Sequence, residues 1–286
     1  MQLPEIVDPS FVNTWIDNQS SEEYHADKTA VSSTGLRKLL KSPATFALYL
    51  KEPPKASDAM RLGSLVHMAI LEPQKFKERV IVSPHFGDLR ISKNREARNI
   101  WNTSLNEHMT VIDDSEYQKV VGMVHSIERH NDAYNALNRG VAERSGFYRD
   151  PATGVKCKIR PDFLTHDGEM LIDLKTTQDC TYDEFAKTIW NYRYDFQAQM
   201  YREGIYHITG KYPRYTTFLS IEKQPPYEVG FYYCEENELR RGVEDYHRTL
   251  EILKRCLDHP NEWIPYQTTI QPIKLPSWVL SKMVYN

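Results

Sequence analysis

The sequence predicts one mixed α/β domain, on three observations. Between Val155 and Thr177 the side chains alternate as they do in strands with one buried and one wet face. There Val155, Cys157, Ile159 and Phe163 interleave with Lys156, Lys158, Arg160 and Asp162, and Ile172 and Leu174 interleave with Asp173 and Lys175. Thr216 to Ile221 and Val229 to Cys234 are apolar runs of strand length. Helical patterns surround these runs, at Asp58 to Glu72, Asp183 to Gly204 and Glu235 to Leu257. No Gly/Ser- or Pro-rich linker divides the 286 residues, so residues 23–286 read as a single domain and residues 1–22 as a peripheral or flexible amino terminus.

In chain order, Ser32-Ser33-Thr34 caps a short helix with Leu36, Leu39 and Leu40 on its apolar face, and Ser42-Pro43 ends it and starts another through Phe46 and Leu48. Arg37, Lys38 and Lys41 make this region positive, either as a solvated face or as a phosphate contact. The run from Asp58 to Pro73 has apolar residues around most of a helix, with Asp58 as its cap, and is expected to be largely buried. Gly63 and His67 share one face of it. A helix glycine costs about 1 kcal/mol, which predicts that another backbone approaches there. His67 is either a satisfied core residue or a ligand.

Glu78 to Ser83 reads as a strand and residues 90–138 as helical, with Arg90, Lys93, Arg95 and Arg98 forming either a solvated basic face or the wall of a DNA groove. Val141 to Tyr148 is a strand carrying Glu143, Asp150 to Gly154 turns the chain, and His166-Asp167-Gly168 turns it again. Three consecutive antiparallel strands are therefore expected from Val141 to Lys175. Beyond them, Gln197 and Tyr201 lie four apart on a helix. The tail, with Trp263, Pro265, Pro272, Pro276 and Trp278, is expected to be irregular and to pack on the body.

Paired strands would bring Asp162 and Asp173 to one point, with Lys175 projecting from the same face. Two carboxylates converge favourably when a divalent cation offsets their repulsion, and Mg²⁺ accepts one or two carboxylates while keeping several waters. A bare Asp-x-Lys also describes a solvated strand face. The Arg160-Pro161-Asp162 element at hairpin distance favours the metal site, to which Glu143 either adds a third acid or remains a surface glutamate.

Composition narrows the function classes. A net charge of −3 argues against a protein that coats nucleic acid electrostatically, while leaving room for a local basic groove. Cys157, Cys180, Cys234 and Cys256 are far apart, without a Cys-x-x-Cys pair for zinc or an iron–sulfur cluster, and read as free thiols in a reducing cytoplasm. No apolar stretch has the length of a signal or a membrane span, so a cytoplasmic protein without membrane contact is expected.

Gly63-x-x-x-His67, Glu143, Asp162, Asp173-x-Lys175 and Gln197-x-x-x-Tyr201 occur in an order that resembles the PD-(D/E)xK nuclease superfamily in its RecB-like branch. Flanking stretches, including Arg-Pro-Asp, Ile-Asp-Leu-Lys-Thr-Thr and Asn-Tyr-Arg-Tyr-Asp-Phe-Gln, extend the resemblance to the exodeoxyribonuclease VIII (RecE) type of catalytic domain, from residue 22 to 280. The resemblance implies a restriction-endonuclease-like core with a central mixed sheet flanked by helices. It also implies a metal-dependent 5′-to-3′ exonuclease on linear double-stranded DNA. Its 3′ overhangs would pass to a RecT-like single-strand annealing protein.

By the same resemblance, Asp162 and Asp173 are the principal metal ligands and His67 a further one, for Mg²⁺ or Mn²⁺ with two ions per site. Lys175 orients the attacking water, Gln197, Tyr201 and Arg160 contact DNA, and Glu143 joins the catalytic set. Asp173 stands where the family pattern usually has Glu. A ring-shaped homo-oligomer is implied, a tetramer ahead of a trimer, with Arg90, Lys93 and Arg95 candidates to line its channel. The alternatives are a related nuclease, Cas4-like or endonucleolytic, and a non-catalytic DNA-end-binding recombination protein. The missing cysteine cluster counts against the Cas4-like form, and intact Asp162, Asp173 and Lys175 count against the non-catalytic one.

Overall fold

A computed structural model of the chain describes residues 2–54, 57–266 and 269–274. Strand β1 (Thr14–Ile16) is followed by helix α1 (Ser21–Ala26), where the Ser20 hydroxyl accepts from Glu23 N–H and the Glu23 carboxylate accepts from Ser20 N–H. Helices α2 (Ser33–Leu36) and α3 (Pro43–Lys51) flank a 3₁₀ turn (Arg37–Leu40), with Ser32 and Ser42 as N-caps. In α4 (Asp58–Leu71) the cap is Ser57, whose hydroxyl accepts from Met60 N–H, so Asp58 falls one position inside the helix.

Next come α5 (Pro73–Arg79), β2 (Val80–Val82), α6 (Ser92–Thr103), β3 (Thr110–Ile112), α7 (Asp114–Arg129) and α8 (Asn131–Leu137). β2 and β3 pair in parallel as a separate ribbon. Strands β4 (Gly140–Ala142), β5 (Ser145–Arg149), β6 (Lys156–Ile159), β7 (Phe163–Thr165) and β8 (Met170–Thr177) follow, then α9 (Tyr182–Tyr192), α10 (Tyr194–Thr209), β9 (Tyr215–Glu222), β10 (Val229–Cys234) and α11 (Glu236–Asp258).

The main sheet has the order β10-β9-β8-β7-β4 and is mixed, because β8 and β9 run parallel while the other neighbours are antiparallel. Helices cover both of its faces. Ile172, Leu174, Leu219 and Ile221 pack with Leu65 and Val66 of α4 and Val120 and Met123 of α7. On the opposite face Phe218 meets Phe185 of α9 and Ala198 of α10. This is the central mixed sheet flanked by helices that the sequence led us to expect.

A second, antiparallel sheet, β1-β5-β6, corrects the expected three-strand meander. The run from Val141 to Tyr148 is cut at Glu143, which takes a left-handed backbone with φ of +51°, and the run from Val155 to Phe163 is cut at Arg160-Pro161. Proline lacks the N–H that a strand interior needs, and a left-handed residue turns the chain out of the pleat. The first half of one run and the second half of the other stay in the main sheet, as β4 and β7. Their continuations, β5 and β6, cross together into the second sheet. Glu143 and Asp162 thereby meet at the crease, where Glu143 N–H donates to the Asp162 carbonyl at 3.0 Å.

The amino-terminal segment adds β1 to the edge of the second sheet through Thr14 opposite Phe147, and Val7 N–H donates to the Gly154 carbonyl at 2.9 Å. Leu36, Phe46, Ile159, Phe196, Met200 and Tyr246 form the core between this sheet, α2, α3, α10 and α11. Close backbone approach occurs at Gly242, where a Cβ would lie 2.4 Å from the Asp195 carbonyl oxygen, and α11 crosses α10 there. At Gly63 a Cβ would meet only the Thr176 hydroxyl at 3.5 Å, so the backbone approach expected of that glycine is absent. In the tail, Trp263 stacks on Phe46 with centroids 6.0 Å apart, while Pro276 and Trp278 lie outside the described residues.

Candidate active site

Five stretches of the chain aim polar side chains at the crease. Helix α4 contributes His67, the broken strands contribute Glu143 and Asp162, β8 contributes Asp173 and Lys175, and α10 contributes Gln197 and Tyr201. Ligand atoms of His67, Glu143 and Asp162 lie within 4.8 Å of one another. His67 Nδ1 is 3.7 Å from Asp162 Oδ2, and that oxygen also accepts from Leu174 N–H at 2.7 Å, which pins it across the β7–β8 pairing. Asp173 is held from both sides, with Lys175 Nζ paired to its Oδ2 and Gln197 Nε2 donating to its Oδ1 at 2.9 Å. The group opens into a cavity of about 570 Å³ walled by Met60, Gly63 and Ser64 of α4 and by Tyr201.

The sequence profile of the family described as "PDDEXK-like domain of unknown function" (DUF3799) matches residues 32–265. The chain belongs to this PDDEXK-like family. A crystal structure described as that of a "putative exonuclease" from Eubacterium rectale superposes with a TM-score of 0.60 at 14% identity, covering 90% of this chain and 96% of that one. At that identity the likeness is one of fold. No curated protein matches the chain.

Electrostatics in the PDDEXK-like site follow from crowding of acids in a dry place. Burial, and then the charge of Asp173, push the Asp162 carboxyl up to about 7, although Lys175 and the Leu174 N–H oppose the shift. Burial and then Asp162 push Glu143 up to about 7, against the pull of Arg160. Burial and the Lys175 charge hold His67 below its ordinary value, which leaves a neutral imidazole with a free lone pair. Burial alone would lower Lys175; Asp173 and Asp162 outweigh it, and the ammonium stays charged.

A divalent cation fits this donor set. Two carboxylates whose charges lack full compensation, plus a neutral imidazole, all within reach of one point, supply the hard oxygen and nitrogen ligands that Mg²⁺ or Mn²⁺ takes.

Sequence reasoning assigned several donors differently from the structure. Arg160, expected to contact DNA, is only 7% exposed. It donates through Nε to Glu143 Oε2 at 2.7 Å and through Nη1 to Ser145 Oγ at 2.8 Å and the Gln19 carbonyl at 3.0 Å. In this PDDEXK-like site its guanidinium is paired with Glu143. Gln197, also expected on DNA, has its amide N–H groups on Asp173 and on the Tyr201 hydroxyl at 3.2 Å, and Tyr201 is buried. Gln197 is thereby engaged by Asp173, while Tyr201 lines the cavity. Ser145 and Tyr194, whose ring lies 4.8 Å beneath Lys175 Nζ, had no distinguishing signal of their own in the sequence.

Proposed function

We propose that this chain is a divalent-metal-dependent nuclease that digests linear double-stranded DNA from its ends, removing the 5′-ended strand and leaving 3′ overhangs for strand annealing. The observation that carries this reading is the convergence of His67, Glu143 and Asp162 within 4.8 Å beside the Lys175–Asp173 pair. Family membership supports the same chemistry, and the resemblance to the RecE type of catalytic domain supports the polarity and the RecT-like partner.

His67, Glu143 and Asp162 would hold the cation, with Asp173 next to them. When bound, such an ion activates water for attack and offsets charge on the phosphate. The remaining work falls to the chain. Lys175, kept charged by Asp173, would stand where negative charge grows on the phosphate oxygens in the transition state. Gln197 fixes Asp173, Arg160 fixes Glu143, and Leu174 N–H fixes Asp162, so the groups are oriented before substrate arrives.

A duplex labelled separately at each 5′ and 3′ end, in linear and covalently closed circular form, tests the reading. Loss of the 5′ label from linear duplex only in Mg²⁺ or Mn²⁺ is expected. Cutting of the circle would replace the exonuclease with an endonuclease, and absence of any metal-dependent release would remove the nuclease reading.

A further inference from the structure

Away from His67, the Lys175 side of the site leads outward through aromatic rings. Lys175 Nζ lies 4.8 Å from the Tyr194 ring centroid. Tyr194 stacks on Tyr192 with centroids 5.8 Å apart and an interplanar angle of 20°. Tyr192, the last residue of α9, is 63% exposed although an aromatic ring gains most from burial. One of its faces is backed by Tyr194, and no other described aromatic ring stacks on it. Two residues earlier Trp190, 62% exposed, has the Arg241 guanidinium 3.3 Å from its ring centroid.

The segment that Arg37 ties to Tyr192 carries charge of one sign. From Lys28 to Lys51 the chain carries Lys28, Arg37, Lys38, Lys41 and Lys51 and no carboxylate. Arg37 Nη1 donates to the Tyr192 carbonyl at 2.6 Å, which places the 3₁₀ turn carrying Arg37 and Lys38 against the end of α9. Among the described residues, none of Arg37, Lys38 and Lys41 pairs with a carboxylate. A ring backed on one side, open on the other and flanked by unpaired cations suits a polyanion that carries flat, unpaired rings. Inside a DNA duplex both faces of each base are already stacked, so outside the end pair only unpaired bases offer this.

We propose that Tyr192, backed by Tyr194 and flanked by Arg37, Lys38 and Lys41, is a stacking platform for a base of single-stranded DNA next to the active site. It rests on the nuclease reading for its purpose, which is to hold the strand that enters or leaves the site unpaired. The sugar-phosphate would lie along the basic turn and the base on the open face of Tyr192.

Fluorescence anisotropy with labelled oligothymidylate, in EDTA so that nothing is hydrolysed, tests this. Tyr192→Ala is expected to weaken binding about tenfold, the loss of one base–aromatic stack, and Tyr192→Phe to keep it. A deoxyribose-phosphate oligomer without bases should bind wild type and Tyr192→Ala equally. Equal affinity of both proteins for oligothymidylate, no binding of it by wild type, or an equal loss on the abasic oligomer would overturn the platform. So would a concentration-dependent self-association lost in Tyr192→Ala while oligothymidylate affinity stays unchanged, which would make the surface a protein contact. Because hydrolysis by the wild type in Mg²⁺ is measured separately, failure of the nuclease reading and failure of the platform give different results.

Discussion

At the scale of single residues, the crease puts two acids where neither is comfortable as an anion. Asp162→Asn removes charge without volume, so it is expected to abolish hydrolysis yet raise the melting temperature of the metal-free protein. A gain of about 1 kcal/mol would appear as roughly 2–4 °C in a chain of this size. Lys175→Ala is expected to abolish turnover while leaving metal affinity in place, and calorimetric melting beside a nuclease assay checks both variants. Asp162, Asp173 and Lys175 were legible in the sequence because strand period and hairpin pairing bring them together without further information. For Glu143 the pattern left a third acid and a surface glutamate open, since its place depends on a left-handed backbone that no residue near it announces. For Arg160 the sequence shows a cation but not the Glu143 carboxylate it pairs with.

At the scale of elements, the junction of α9 and α10 hangs on Asp195. This carboxylate, 2% exposed, accepts from Arg241 Nε at 2.9 Å and from Arg193 Nε at 3.2 Å, and Arg193 itself sits in the left-handed region at φ +58°. Burial would raise its pKa, but the hydrogen bonds from Arg241 and Arg193 outweigh burial and hold it below the usual carboxylate range. The folded state therefore releases this proton more readily than the unfolded chain. Its stabilisation is present above about pH 4 and lost as pH falls through the folded value. Asp195→Asn is expected to cost about 3 kcal/mol at neutral pH and to flatten the acid limb of a stability–pH profile.

Gly242→Ala is expected to cost about 1–3 kcal/mol, because the added Cβ would meet the Asp195 backbone, which cannot step aside. A denaturant midpoint with unchanged slope would show it. The crossing of strands between two sheets was the element-level feature the sequence concealed. Alternation runs unbroken through Arg160, and Pro161 was the one available sign that the second run is two strands. β1 and β3 were missed because one lies in the stretch read as peripheral and the other inside the stretch read as helical.

For the whole molecule, the long apolar runs and amphipathic helices were sufficient to give the layers, since β8 and β9 are buried on both faces and could only be central. Among the described residues no helix is long and apolar enough to cross a membrane. Under the proposed function, the question at this scale is how DNA is enclosed. A compact chain of this length has a radius of gyration of about 19 Å, enough to cup a DNA end but not to encircle it. Negative net charge gives little long-range hold on DNA between cuts. A cyclic homo-oligomer, tetramer ahead of trimer, would supply that hold. Lys93, Arg95 and Arg98 on α6, a helix with no buried residue, are free to line its channel, whereas Arg90 is engaged by Asp88. Light scattering combined with digestion against a trap DNA checks it, and a monomer that digests long duplex processively would remove the ring.

A calorimetric titration of Mn²⁺ into the metal-free protein tests most directly whether His67, Glu143 and Asp162 form one metal centre. Saturable binding is expected for the wild type and for Lys175→Ala, weaker binding for His67→Ala and Glu143→Gln, and none for Asp162→Asn at the same concentrations. Wild-type Mn²⁺ affinity in Asp162→Asn would contradict such a centre.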